Sequence, residues 1–417
     1  MGSRNGLLWS VALALILSAC GGGGGNSSAP PPIPVMAVSY ATWNASPQYL
    51  GEVRPGGTRT AVEMFGDQTV RQIAHLSTGG ARLRVKLSNL FGTGPITFTS
   101  VRIAKSTGGS SIDPSSDRVI TFGGSPSLTA TAGTEFWSDE IDLAAARGMD
   151  VAVSIYIATP TPADTGHMFS NGNTYLARGN AVSAPSFSTA NVDARPSLYW
   201  LTAIAASSEQ KSNVVVAFGD SITEGSQSTF AGNLRYPDQL SARLAGEANP
   251  NIAVVNAGIG GNRWVFDFPG QSGSNRFERD VLGVQGVTHA ILLLGINDLE
   301  VAHALPSQKV TADQLIAATQ AAMSKAKARG VKVLLGTLLP YKGSALFDAT
   351  DEAVRQGYNG WVRTQVVADG TVDFDAALRD PADPFAISPQ LASFDHLHPN
   401  DAGYGAMAAA VDIAKLR

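Results

Sequence analysis

The chain has 417 residues, of which 44% are apolar, 34 are acidic and 30 are basic, so its formal net charge is −4. This composition excludes a wholly disordered protein. The sequence contains no basic block, so nothing in it indicates nucleic-acid binding. The length predicts two domains after an N-terminal leader.

Residues 1–19 have the pattern of an export signal. Arg4 precedes an apolar stretch from Leu7 to Leu17 that is too short to cross a bilayer. The ending Leu17-Ser18-Ala19-Cys20 resembles the bacterial lipobox, and this resemblance implies lipid attachment at Cys20. An ordinary cleaved signal with a chance cysteine is the alternative. Because Cys20 is the only cysteine of the chain, no disulfide can form within one molecule.

Residues 20–35 are rich in Gly, Ser and Pro, which predicts a flexible tether without a core. A lipid on Cys20 would anchor the protein to a membrane without spanning it. No aspartate follows Cys20, and by resemblance to lipoprotein sorting this implies the outer membrane. We therefore predict an exported protein, either lipid-anchored in the cell envelope or secreted.

Residues 36–208 are predicted to form an all-β sandwich, jelly-roll-like in type. Polar and apolar residues alternate through Arg82–Ser88 and, less strictly, through Asp150–Tyr156. Such sandwiches can bind carbohydrate, but the spacing indicates no aromatic platform. Trp137, Trp200 and Tyr156 are predicted to lie in the core, with sugar contacts as the alternative. Shorter candidate strands are Ile96–Ala104, Arg118–Phe122 and Ser138–Leu143.

In residues 209–417, apolar strands alternate with helical segments. This alternation predicts an α/β domain of three layers, in which helices cover both faces of a parallel sheet. The predicted strands are Val214–Phe218, Ile252–Val255, Ala290–Leu294, Val331–Leu335 and one near Val372. The predicted helices are Pro237–Ala245, Ala312–Arg329, Asp351–Val367 and one from Asp401.

Three of these strands are followed by short motifs that contain polar residues. The motifs are Gly219-Asp220-Ser221, Gly260-Gly261-Asn262-Arg263 and Gly295-Ile296-Asn297-Asp298. A fourth, Asp395-His396-Leu397-His398-Pro399, precedes the last helix. Since parallel strands end at one edge of their sheet, we expect the side chains of the first three motifs to converge there, and the fourth is free to reach across to Ser221.

Ser221, His398 and Asp395 have the residue types that nucleophilic catalysis requires. A serine hydroxyl attacks only when a base removes its proton, and a histidine with a pKa of ~6.5 is suited to this near neutral pH. Asp395 lies three positions before His398, where it can orient the imidazole and stabilise its charged form. A turn with a helix cap is the alternative interpretation of Gly219-Asp220-Ser221 taken alone.

With these motifs the chain resembles the SGNH hydrolases, also called GDSL-type esterases, over residues 213–417. The signature residues are Ser221, Gly261, Asn297 and His398, and Ile222 replaces the usual leucine of the name-giving motif. A branch described as arylesterases and acylhydrolases is similar in having an N-terminal β module.

The resemblance implies an oxyanion hole made by the backbone N–H groups of Ser221 and Gly261 and by the side chain of Asn297, and it implies no cofactor. A helix-capping role is the alternative for Asn297. His396 is predicted to be a bystander, because the family histidine directly precedes the proline. A metal site made by Asp395, His396 and His398 is the disfavoured alternative.

The substrate pocket is the least determined part of the sequence. Arg263, Trp264 and Phe266 follow Gly261 and either line the pocket or pack inside the protein; Phe268 and the segment 385–387 are open in the same way. No long apolar lid is evident, which favours a short acyl group.

We predict a serine esterase that hydrolyses short-chain, acetyl-type esters of carbohydrate or aryl alcohols, with a small molecule or a polysaccharide as substrate. One alternative is a lysophospholipase or thioesterase that acts on lipid acyl esters. The other is a non-enzymatic, carbohydrate-binding lipoprotein.

Overall fold

The structure, a computed structural model, describes residues 37–51, 61–188, 193–246, 251–301 and 305–417. The predicted signal, Cys20 and the tether lie outside these residues, so lipid anchoring stays a prediction. Ala37–Arg417 form one compact unit. None of the helices in the described ranges is long and apolar enough to span a membrane.

The described chain before residue 209 is built from β-strands, with one 3-10 turn at Pro114–Ser116. Its strands are β1 Val38–Asn44, β2 Gln48–Tyr49, β3 Met64–Phe65, β4 Gln68–His75, β5 Arg82–Ser88, β6 Ile96–Phe98, β7 Ser100–Gly108, β8 Ser111–Ile112, β9 Arg118–Val119, β10 Leu128–Ala130, β11 Glu135–Trp137, β12 Asp150–Ile157, β13 Thr161–Pro162, β14 Thr165–His167, β15 Thr174–Arg178, β16 Asp193–Arg195, β17 Leu198–Tyr199 and β18 Leu201–Ser208.

Two antiparallel sheets dominate this all-β region. One has the strand order β1-β18-β5-β11, and the other, seven-stranded, has the order β16-β15-β4-β12-β7-β8 with β9 also paired to β7. Leu83 and Val85 of the first sheet and Val70 and Val153 of the second are fully buried in one apolar cluster. An all-β region before an α/β region, as predicted, is therefore confirmed.

Three of the shorter predicted strands are wrong in extent. Ile96–Ala104 is divided at Thr99 into β6 and β7, which belong to different sheets, and Arg118–Phe122 shortens to β9. Ser138–Leu143 is not a strand: the Ser138 hydroxyl accepts the N–H of Val85 and donates to the carbonyl of Asp139, which replaces ladder pairing. The strand lies just before it, at β11.

The remaining strands form a parallel sheet of order β20-β19-β21-β22-β23. The chain first adds β20 on one side of β19 and then adds β21, β22 and β23 on the other side, so the strand order reverses between β19 and β21. Ligands bind at such a point in open α/β sheets. The predicted parallel sheet is confirmed. The strands are β19 Asn213–Gly219, β20 Ile252–Gly258, β21 Val287–Leu293, β22 Lys332–Gly336 and β23 Gly370–Val372.

Helices of this region contact one another in two groups, α2 with α7 and α8, and α3 to α6, as expected for two helical layers. The helices are α1 Ser221–Glu224, α2 Tyr236–Ala245, α3 Gly273–Phe277, α4 Ile296–Glu300, α5 Ala312–Ala328, α6 Ala349–Thr364, α7 Phe374–Leu378 and α8 Asp401–Ala410. The region also has 3-10 turns at Pro306–Gln308 and Ile413–Leu416 and a π-helical turn at Glu278–Leu282.

Helix ends differ from the predictions where side chains cap the backbone. Asp348 accepts the N–H groups of Thr350 and Asp351, so α6 begins two residues before the predicted start. The same helix ends at Thr364 rather than Val367, because the Gln365 side chain accepts the N–H groups of Val367 and Ala368 in place of helical carbonyls. The predicted stop at Gly330 is confirmed by its left-handed φ of 69°.

The all-β region satisfies the outer edge of β20. Arg147 donates to the carbonyl of Ile252 at 2.7 Å, the Ser77 hydroxyl accepts the N–H of Val254 at 3.2 Å, and the Asn44 amide donates to the carbonyl of Asn256 at 3.3 Å. An edge strand without such partners exposes unpaired backbone groups. The two regions therefore complete each other, and buried residues of both belong to one apolar cluster.

We expect the protein to unfold in one cooperative transition, because separating the regions would expose this shared core and the edge of β20. Differential scanning calorimetry should give equal calorimetric and van't Hoff enthalpies. Arg147→Met should lower the melting temperature of the whole molecule, whereas Arg82→Met, which removes an exposed ion pair, should change it little. Two resolved transitions would contradict this prediction.

Candidate active site

Ser221 is the first residue of α1, directly after β19. Asp220 has an extended backbone and its carboxylate accepts the N–H of Ile222 at 3.0 Å, which starts the helix. Gly225, with a φ of 104°, ends the helix after a single turn. The serine is 8% exposed, so it lies in a recess at the carboxyl edge of the sheet.

Ser221, His398 and Asp395 form a continuous hydrogen-bonded chain. The Nε2 atom of His398 lies 2.8 Å from the Oγ of Ser221, and its Nδ1 lies 2.7 Å from the Oδ2 of Asp395. The histidine and the aspartate come from the loop before α8, 177 residues after the serine. The fold thus joins the three residues that the sequence singled out.

Asp395 is held as a carboxylate by its surroundings. Burial opposes its charge, but hydrogen bonds from the His398 ring, the His398 N–H, the Ser393 hydroxyl and the Leu397 N–H outweigh burial and hold its pKa well below the usual range. The carboxylate therefore stays ionised at neutral pH and can stabilise a charged imidazole.

The predicted oxyanion donors are brought together at the same edge. Within the described chain, the N–H groups of Ser221 and Gly261 have no hydrogen-bond acceptor. One amide proton of Asn297 goes to the carbonyl of Asn262 at 3.1 Å, which fixes the side chain and leaves its second proton available. Unpaired donors that are fixed in place are what an oxyanion requires.

The loop of Gly261 is fixed from two sides. The carboxylate of Asp298 accepts the N–H groups of Trp264 and Val265 at 2.7 and 3.0 Å. The fully buried guanidinium of Arg276 donates to the side chain of Asn262 at 2.9 Å. Helix α4, which carries Asn297, is thereby tied to the loop that carries Gly261.

Three carboxyl groups behind the site are buried. Burial raises the pKa of Asp220 and of Glu300 to about 7, and that of Asp298 to about 6. Glu300, on α4, is 3% exposed, and its side chain is 3.4 Å from the Ser344 hydroxyl. The sequence did not single out Glu300. Its position three residues after Asn297 was the only feature that pointed to it.

Two of the candidate pocket residues after Gly261 pack inside the protein. Trp264 is fully buried against Phe218. Arg263 is also fully buried, and its guanidinium donates to the carbonyls of Asp267 and Phe268 in its own loop. Neither side chain is free to bind substrate. Phe266 is half-buried against the Arg263 guanidinium and stays an open candidate.

Exposed apolar side chains lie on the Asp395 loop and on segments that contact it, and of these the sequence pointed only to segment 385–387. Phe394 is 82% exposed, and Phe385 and Leu346 are also exposed. The three segments touch: the Lys342 N–H donates to the Phe385 carbonyl, and Gly343 packs against His396. Together these residues form an apolar rim beside the triad.

His396 lies outside the hydrogen-bonded chain. Its side chain is exposed, and its backbone has a left-handed φ of 57°. Within the described ranges, no three His, Cys, Asp or Glu residues are grouped in a way that could hold a metal ion.

Comparison with known proteins shows that residues 217–406 are similar to the GDSL-like Lipase/Acylhydrolase family. None of the curated proteins with which the chain was compared is similar to it.

Solved structures are similar over about half of the chain. An acetylxylan esterase from Geobacillus stearothermophilus, in a catalytic mutant form, is 22% identical, with 50% of this chain and 95% of that chain covered and a TM-score of 0.38. A GDSL-like lipase from Bacteroides thetaiotaomicron is 20% identical, with coverages of 49% and 87% and a TM-score of 0.37. An alpha/beta hydrolase enzyme from the metagenome of Lake Arreo is 22% identical, with coverages of 49% and 94% and a TM-score of 0.38.

Gly261→Ala should damage both stability and the site. The residue has a φ of 70°, and an added Cβ would lie 2.9 Å from the Cγ of Pro269. The left-handed backbone alone costs about 1–2 kcal/mol for alanine. Gly360→Ala is the matched control, since its Cβ would meet nothing within 4 Å and alanine gains up to about 1 kcal/mol over glycine in a helix. Chemical denaturation should show opposite signs; equal effects would contradict the assignment.

Glu300 should make stability depend on pH. Its pKa of about 7 in the folded chain exceeds the ~4.3 of an unfolded chain, so folding is favoured by protonation, and stability falls as pH rises between these values. Between pH 5 and pH 8, the free energy of unfolding of Glu300→Gln should fall by on the order of 2 kcal/mol less than that of the unaltered protein. Melting temperatures across this range should flatten in Glu300→Gln but not in Glu209→Gln, an exposed control. Parallel curves for all three proteins would disprove the effect.

Proposed function

From its GDSL-like lipase/acylhydrolase domain, we propose that this protein is a serine esterase that hydrolyses short-chain acyl esters of carbohydrate or aryl alcohols. The observation that carries the proposal is the chain of contacts from the Ser221 hydroxyl through His398 to Asp395, at 2.8 and 2.7 Å.

In the proposed reaction, Ser221 attacks the ester carbonyl carbon while the Nε2 atom of His398 takes the hydroxyl proton. Negative charge that develops on the carbonyl oxygen is stabilised by the Ser221 and Gly261 N–H groups and by the free amide proton of Asn297. His398 then gives its proton to the departing alcohol, which leaves an acyl group on Ser221.

Deacylation repeats these steps with water. The Nε2 atom of His398 takes a proton from water, the resulting hydroxide attacks the acyl carbon, and Ser221 regains its proton as the carboxylic acid departs. Throughout, Asp395 holds the imidazole by its Nδ1–H. Its hydrogen bonds to three further donors support this fixed role.

A lipid-directed esterase is the second candidate. The apolar rim of Leu346, Phe385 and Phe394 beside the triad favours it, because such residues suit contact with a long acyl chain. Acyl-chain preference separates the two candidates.

Hydrolysis of p-nitrophenyl esters with two-carbon to sixteen-carbon acyl chains tests the proposal. We expect a short-chain optimum, with kcat reduced ~10⁵–10⁶-fold by Ser221→Ala or His398→Ala. Asp395→Asn should cost roughly 10⁴-fold, since the histidine would lose its correct tautomer.

The matched controls are Ser226→Ala, on the loop after the same helix, and His396→Ala, two residues from His398. Both should keep activity within a few fold. A long-chain optimum would transfer the proposal to lipid esters. Activity in Ser221→Ala equal to that of the unaltered protein would disprove the mechanism.

A further inference from the structure

A polar cleft lies on the face of the seven-stranded sheet that points away from the shared apolar core. Residues of β4 alternate between the two faces: Val70 and Ala74 enter the core, whereas Ile73 and His75 line the cleft. The opposite wall comes from the α/β region, including Glu224 of α1. The cleft has a volume of about 230 Å³, and Ser221, Asp395 and His398 do not line it.

Each acidic or basic side chain that lines the cleft already has a polar or charged partner in the protein. His75 Nδ1 is 2.6 Å from Asp150, and His167 Nε2 is 3.0 Å from Glu224. Arg235 forms a bidentate pair with Asp238, at 2.6 and 3.0 Å. A charged ligand would have to displace one of these contacts, so this lining favours a neutral ligand.

Several neutral polar groups in the cleft are unpaired. The side chains of Asn173, Asn233 and Tyr175 line it, are partly exposed and have no hydrogen-bond partner within the described chain. By contrast, the Asn171 amide donates to the Ser228 hydroxyl at 2.7 Å, which ties the two walls together. Two free amides and one phenol offer donors and acceptors to a ligand rich in hydroxyl groups.

The cleft also has apolar surface. The half-buried side chains of Tyr175 and Ile73 line it, backed by the buried Trp43 and Leu198. A ligand with hydroxyl groups at its edge and C–H bonds on its faces matches this combination, since aromatic rings cover apolar faces while amides bind hydroxyls. A bare acyl chain would leave the two amides without partners, at a cost in free energy.

We propose that this cleft is a binding site for a neutral saccharide, separate from the catalytic serine. The volume, just under the roughly 300–1000 Å³ of pockets for drug-sized ligands, suits one sugar unit with its neighbours extending into solvent. Glu224 links the two sites: it is the third residue after Ser221 in α1, and it pairs with His167 of β14.

A sugar in the cleft would thus be bound one helical turn from the nucleophile. If the esterase proposal holds, on which this step alone rests, the saccharide is the carrier of the ester that Ser221 cleaves. Binding itself requires no esterase activity.

Saturation-transfer NMR and calorimetry on the full chain test the inference, with unacetylated xylotetraose, cellotetraose and mannotetraose as probes. In the Ser221→Ala background we expect saturable binding of at least one probe. Tyr175→Ala and Asn173→Ala should each weaken it tenfold or more, and Tyr175→Phe, which keeps the ring, should weaken it less.

Tyr156→Ala is the matched control, because Tyr156 lies on the same sheet but does not line the cleft, and it should leave binding unchanged. Thermal unfolding of each variant checks that it folds. Absence of saturable binding by all three probes, or equal binding in Tyr175→Ala and Asn173→Ala, would overturn the inference.

Hydrolysis of p-nitrophenyl acetate separates this inference from the proposed function. Sugar binding without any ester hydrolysis would leave the cleft assigned and disprove the esterase. Hydrolysis without sugar binding would do the reverse.

Discussion

The edge of the parallel sheet that carries Ser221 depends on one buried guanidinium. Arg276 donates to the carbonyls of Gly219 and Ala257, at the ends of β19 and β20, at 2.7 and 2.8 Å, and it also holds the side chain of Asn262. Burial lowers its pKa to about 10, so it remains charged at neutral pH, and Asp280 at 3.1 Å supplies the counter-charge. The carbonyls at the strand ends gain a charged donor, and the segments that carry Ser221 and Gly261 are held by the same group.

The all-β region is part of the same construction. Side chains from it complete the edge of β20, and His167 pairs with Glu224 in the short helix that begins with Ser221. The walls of the polar cleft come from both regions, which meet at the Asn171–Ser228 hydrogen bond. Contacts with the β region thus help to fix the orientation of α1, which gives that region a structural role beside the proposed site.

The order of polar and apolar residues predicted strands correctly where this order decides which side chains are buried. The alternation through Arg82–Ser88 predicted β5 to the residue, and the apolar run Val214–Phe218 predicted the core of β19. It failed at Ser138–Leu143, where a side chain replaces a backbone partner, and it left Arg263 and Trp264 undecided. Both depend on what lies across space from the residue, which a window of neighbouring residues does not contain.

The sequence alone determined the residue types of the site and their order, because nucleophilic chemistry demands a serine, a base and its orienting acid, and because parallel strands end at one edge. Tertiary structure decided what depends on distant partners: the distances from Ser221 to His398, the burial of Arg263, the pKa of Glu300 and the existence of the polar cleft. The physical reason is that desolvation and hydrogen-bond partnership are set by groups brought together from far apart in the chain, so no local stretch specifies them.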